Sequence, residues 1–215
     1  MSPAATAEAA TALAPVADWL AGLFCAPPAP DDIARWQSTE GAALLDAIGA
    51  ELACGPAIAR MRAVLCADAA PASLALDLSA AYARLFTGCD ASGTVSPYES
   101  HYTGTGRLFD QAMADMGALL HRCGLAIVKD CPEPPDHVAI ELALLAALLR
   151  DGDVDGVRHI HARLAGWLPA FVDACIARDP HGFYGGAAAV LVAWLDALPD
   201  AIHLQQDLES SCRQK

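Results

Sequence analysis

Basic residues are scarce in this chain: 13 lysines and arginines in 215 residues, against 26 aspartates and glutamates, for a formal net charge of −13. A surface that binds nucleic acid needs clustered cations, and so few, spread so thinly, do not supply them. Uncharged runs long enough for a membrane span, roughly 18 residues or more, are also lacking. The longest candidates are 138–149, which contains Glu141, and 185–195, which ends at Asp196. Stable membrane insertion is therefore not expected. The start of the chain has no basic segment, and Glu8 and Asp18 interrupt its apolar stretch, so no secretory signal is read there and the cytoplasm is the expected compartment. Aromatics make up only 6% and charged residues 18%. Alternating strand-like runs are almost absent.

Alanine and leucine dominate what is present, and both favour helices. The fold class expected is all-α: a single helical-bundle domain of about nine helices in two closely packed lobes joined by a Pro-rich hinge. Apolar spacing places helices at about 5–25, 31–52, 55–66, 72–87, 104–124, 136–150, 154–178, 182–197 and 200–211. The front lobe is expected over about 1–128, the hinge over 129–136 and the rear lobe over 137–215. Eight cysteines (25, 54, 66, 89, 123, 131, 175, 212) show no Cys-x-x-Cys pair and lie mostly in apolar helical patterns, as reduced core residues would. Cys89 and Cys131 lie in loop-like sequence instead.

Two irregular stretches interrupt the helices. The first, 88–102, is rich in Gly, Ser and Pro and long enough for a functional loop. The second carries Glu133-Pro134-Pro135-Asp136-His137 directly before an apolar run. Two prolines force an extended approach, Asp136 can cap the amides of the next helix, and His137 enters its first turn. His137 and Glu141, four apart, could pair or ligate a metal; Val138, Leu142, Leu145 and Leu149 form a buried stripe.

Catalytic signatures are thin. His101, His137, Glu141 and His161 would be the residues of a small metal- or His-dependent hydrolase, but no further ligand spacing and no nucleophile arrangement supports one. Gly-Thr-Gly at 104–106 lacks the rest of a phosphate-binding motif. No catalytic residue, metal or cofactor is expected. A helical oligomerisation module is a third reading. A peptide groove fits better: Tyr82, Leu85, Phe86, Pro97, Tyr98 and Tyr102 combine aromatic anchors with nearby carboxylates, although Tyr82, Leu85 and Phe86 could equally be core.

Three segments then fall in a telling order. Tyr82-Ala-Arg-Leu-Phe86-Thr-Gly88, Ser96-Pro-Tyr-Glu-Ser-His-Tyr102 and Glu133-Pro-Pro-Asp-His137 together resemble the TorD/DmsD/NarJ-type family of redox-enzyme maturation chaperones, with weaker likeness at His161, Trp167 and Phe183-Tyr184. The resemblance spans about residues 75–195. It implies a non-enzymatic, all-helical chaperone. Its partner would be the precursor of a molybdenum-cofactor oxidoreductase, bound at a twin-arginine signal peptide until the cofactor is inserted. The client-binding residues expected are Tyr82, Leu85, Phe86, Pro97, Tyr98, Glu99, Ser100, Tyr102, Glu133, Pro135, Asp136 and His137. A Pro-rich hinge would allow either a monomer or a domain-swapped dimer.

Overall fold

The computed structural model describes residues 3–66, 69–88, 93–103, 111–129 and 131–213, with the backbone alone for 3–12 and 200–213. Eleven helices and no strand occur among them: α1 (Pro3–Cys25), α2 (Pro30–Gln37), α3 (Thr39–Glu51), α4 (Gly55–Leu65), α5 (Pro71–Phe86), α6 (Glu99–Tyr102), α7 (Gln111–Arg122), α8 (Val138–Asp151), α9 (Val154–Ala165), α10 (Leu168–Arg178) and α11 (Phe183–Arg213). The fold is all-α. No described helix is long and apolar enough to cross a membrane.

Local chemistry accounts for the departures from the expected boundaries. The helix expected over 31–52 is two, because the Ser38 hydroxyl accepts from the Gly41 amide at 3.0 Å and caps a new helix start. Gly41 is required there, since a Cβ would lie 2.0 Å from the Arg35 carbonyl oxygen. The helix expected over 154–178 breaks after Ala165, at Gly166 and Trp167. Conversely, the segments expected at 182–197 and 200–211 form one helix that continues through Pro199. The part of the expected 104–124 helix at 104–110, including Gly-Thr-Gly, lies outside the described residues, as do Cys89 and the side chain of Cys212.

The chain forms two compact units, each assembled from separate segments. One comprises Met1–Ala21, Tyr98–Trp167 and Trp194–Lys215; the other Gly22–Pro97 and Leu168–Ala193. The segment 129–136, expected as a hinge between a front and a rear lobe, lies wholly inside the first unit.

In the first unit, the stripe Val138, Leu142, Leu145 and Leu149 is 0–5% exposed. Each of these side chains contributes up to about 1.5–3 kcal/mol by leaving water. α8 ends where Gly152 takes a left-handed conformation, φ 69°, which only glycine adopts without strain. Asp153 then accepts from the Gly156 amide at 3.0 Å and starts α9. Trp194 donates its indole N–H to the Leu13 carbonyl at 3.1 Å.

In the second unit, an aromatic cluster of Phe24, Tyr82, Phe86, Phe171 and Tyr184 packs mostly edge to face, with Phe86 and Phe171 tilted at 30°, at ring separations of 5.1–6.3 Å. The Tyr82 hydroxyl donates toward the Phe24 and Cys25 carbonyls, 3.0 Å from each. Asp179 caps the start of α11, accepting from the Tyr184 and Gly185 amides at 3.0 and 3.1 Å.

Candidate functional site

The Tyr-Glu-Ser loop and the Pro-Pro-Asp-His segment, 35 residues apart in sequence, meet in the first unit. Tyr98 and His137 form an isolated antiparallel bridge. Next to it, the Glu99 amide donates to the Asp136 carbonyl at 3.0 Å and the Ser100 amide to Asp136 Oδ2 at 3.3 Å. Asp136 therefore caps α6, a short helical turn whose first amides would otherwise be unpaired.

The cap of α8 is His137, not the expected Asp136: its Nδ1 accepts the Ala139 amide at 3.1 Å. The His137 amide in turn donates to the Pro134 carbonyl at 3.1 Å, a turn that brings the histidine to the helix boundary. With φ −76° and ψ 138°, His137 is not helical. The four-residue spacing that would align it with Glu141 does not operate there.

The expected His137–Glu141 side-chain pair is accordingly absent. Instead His137 Nε2 lies 3.9 Å from Glu133 Oε2, and Tyr98 donates its hydroxyl to that same oxygen at 2.8 Å. The Tyr98 and His137 rings meet edge to face at 5.1 Å. Because Nδ1 must remain an acceptor, the proton of neutral His137 sits on Nε2, facing Glu133. Burial lowers its pKa to about 4, partly opposed by Glu133 and Asp136, so the ring is neutral across the physiological range.

Glu141 serves a second polar cluster. Its Oε2 accepts the Trp167 indole N–H at 3.2 Å, its Oε1 lies 3.6 Å from Arg163 Nε, and Arg163 also pairs with Glu99 and donates to the Ala112 carbonyl at 2.6 Å. Two buried carboxyls thus face one guanidinium. Burial, then the charge of Glu99, holds the Glu141 proton well above the usual carboxylate range; burial also raises Glu99, against the pull of Arg163. Tyr102 stacks on Trp167 at 5.6 Å and 24°.

Eight of the expected site residues are thus gathered in this unit. Tyr98, Tyr102, Glu133 and Pro135 are half-buried and present surface, while Glu99, Ser100, Asp136 and His137 are 8, 1, 1 and 1% exposed. The buried four hold the two segments together and offer almost no surface themselves. Pro97 is buried at the end of the second unit, whose core also takes up Tyr82 and Leu85, 9 and 1% exposed, with Phe86 half-buried in the aromatic cluster.

The hydrolase residues are engaged elsewhere. His161 Nε2 lies 3.2 Å from the Leu195 carbonyl, His101 packs against Tyr102 at 4.9 Å, and His137 caps α8. Among the described residues no three His, Cys, Asp or Glu side chains are grouped as metal ligands would be. Sequence spacing gave no sign of Arg163. Its partners are 22, 51 and 64 residues away, beyond any helical periodicity.

Residues 51–176 match the family model described as nitrate reductase delta subunit. Several proteins named chaperone protein TorD are similar to this chain. That of Photobacterium profundum is 34% identical over 57% of this chain and 63% of its own length. In that comparison the chain spans just under two thirds of the relative. The TorD chaperones of Vibrio atlanticus and Ferrimonas balearica are 30% and 34% identical over 82% of this chain, and over 87% and 83% of their own lengths. With more than half its length matched, the chain belongs to the nitrate reductase delta subunit family, alongside relatives named as chaperones and not as enzymes.

Proposed function

We propose that this chain is a cytoplasmic chaperone that binds the precursor of a molybdenum-cofactor oxidoreductase. It recognises the twin-arginine signal peptide and keeps the precursor from export until the cofactor is inserted. The cofactor is the client's; the chaperone itself catalyses nothing and holds no cofactor or metal. The observation that supports this reading is the joining of the Tyr-Glu-Ser loop to the Pro-Pro-Asp-His segment, where Tyr98 bonds Glu133 beside the buried Asp136 and His137.

Such a surface suits a basic peptide with an apolar continuation. Tyrosine and proline offer apolar area, Glu133 offers charge, and the buried Asp136 and His137 hold these groups in place without rearrangement on binding. The second unit contributes Tyr82, Leu85, Phe86 and Pro97 as the packed support of its part of the motif. Glu99 and Ser100, both buried, lie beside these residues in the Tyr-Glu-Ser loop.

Calorimetric titration with a synthetic peptide bearing two adjacent arginines and an apolar run, and with its Lys-Lys counterpart, tests the reading. Tighter binding of the arginine peptide is expected, and Tyr98→Ala or Glu133→Gln should weaken it by about tenfold, the scale of one lost charge-assisted contact. Equal binding of both peptides, or of neither, would count against signal-peptide recognition. Size-exclusion chromatography at several concentrations distinguishes the monomer from a domain-swapped dimer.

A further inference from the structure

Beside the Glu99–Arg163 pair lies a recess of about 180 Å³, lined by Glu99, Ser100 and Thr103 at α6, Gln111 and Asp115 of α7, and Arg163 of α9. Its size admits one side-chain head group and falls short of the roughly 300–1,000 Å³ of sites for drug-sized ligands. Its chemistry is that of an acceptor set. Arg163, the cation on its wall, pairs with Glu99 and donates through Nη2 to the Ala112 carbonyl, while its Nε faces Glu141 at 3.6 Å without a hydrogen bond. Glu99 and Arg163 offset one another, so Asp115 leaves the lining net negative.

Ser100 supplies an independent sign of a ligand. It is 1% exposed, lines the recess, and its hydroxyl has no hydrogen-bond partner. A buried hydroxyl so placed costs stability unless something occupies the space before it. Gln111 donates to Asp115 Oδ1 at 2.7 Å, which orients that exposed carboxylate. What meets several acceptors in a small negative recess is a multi-donor cation, and a planar guanidinium with five N–H donors matches best.

We propose that this recess receives a single guanidinium side chain of the client polypeptide, placed between Asp115 and Glu99 with the Ser100 hydroxyl as a further acceptor. The inference rests on the peptide-binding reading above and adds to it a receptor that lies on α6, α7 and α9. Asp115 becomes a specificity-determining residue: it discriminates a charged from a neutral side chain at one position of the client.

Citrulline, the neutral isostere of arginine, provides the test. The full chain and its Asp115→Asn and Ser100→Ala variants are titrated with the two-arginine peptide and with versions carrying citrulline at one arginine or the other. Asp115 is exposed and its one hydrogen bond is within α7, so its variant should keep the circular dichroism and thermal transition of the unaltered chain. At one position citrulline should weaken binding to the unaltered chain by about tenfold. Asp115→Asn should bind the arginine peptide about that weakly and no longer distinguish it from the citrulline version. Ser100→Ala should lose a few-fold, as for one neutral hydrogen bond. If Asp115→Asn discriminates as well as the unaltered chain, or if the unaltered chain does not discriminate, the recess is not the receptor, although peptide binding stands. If the unaltered chain binds no peptide at all, both readings fall.

Discussion

His137 illustrates how one side chain's surroundings set its role. An imidazole held at 1% exposure, accepting a helix amide on Nδ1, must stay neutral to keep that bond. His137→Ala is expected to lose about 1–2 kcal/mol through the cap alone, while His137→Asn, itself a favoured cap residue, should recover much of it. Urea denaturation at pH 7.5 measures both.

The same histidine makes stability depend on pH. Its folded pKa, about 4, is below the unfolded value of 6.5, so the unfolded chain binds the extra proton between these limits. Its contribution is complete above pH 6.5 and should decline by as much as about 3 kcal/mol as the pH falls to 4. Glu99 and Glu141 act in the opposite sense, since their raised folded pKa values favour the protonated fold and their contribution is lost as pH rises. The histidine effect is therefore read as the difference between the unaltered chain and His137→Asn across this window. A difference independent of pH would contradict the assignment.

At the scale of elements, α6, α8 and α9 meet at Arg163, which pairs with Glu99 and faces Glu141. Glu141 directs its two oxygens toward Trp167 and Arg163, and burial pushes its carboxyl well above the usual carboxylate range. Glutamine reproduces the neutral donor-acceptor pattern, so Glu141→Gln should change stability by less than about 1 kcal/mol. Glu141→Ala removes the acceptor that Trp167 uses and opens a cavity, and should cost about 2–4 kcal/mol. Thermal unfolding of the two variants distinguishes an uncharged Glu141 from an ionised one, for which glutamine would also be costly.

The helices themselves were largely legible in the sequence, and the buried stripe of α8 could be read from spacing alone. The boundaries missed have local causes: the Ser38 cap divides one expected helix and the turn at Gly166 another. α6 had no periodic signal. It is a four-residue turn whose capping carboxylate, Asp136, comes from 36 residues downstream.

At the scale of the whole molecule, chain order and spatial grouping differ. The first unit draws on three segments and the second on two, with α1 and α11 each contributing residues to both. A cut at 129–136 divides the first unit internally. Separately expressed fragments 1–128 and 137–215 are accordingly expected to show no cooperative thermal transition by circular dichroism, because each lacks segments needed to bury its apolar faces. Two independently melting fragments would instead support front and rear lobes.

The sequence by itself determined the helical class, the buried stripe, the Pro-Pro-Asp-His segment and, through its motifs, the family. These follow from composition and short-range spacing, in which a 3.6-residue period or a proline acts on near neighbours. Only the tertiary structure decided that His137 caps α8 while Asp136 caps α6, that Tyr82 and Leu85 are core, and that Arg163 is shared by Glu99 and Glu141. Apart from the His137 cap itself, those outcomes depend on groups 22 to 64 residues apart competing for a few buried contacts, and the competition is settled by burial and geometry that no local spacing encodes.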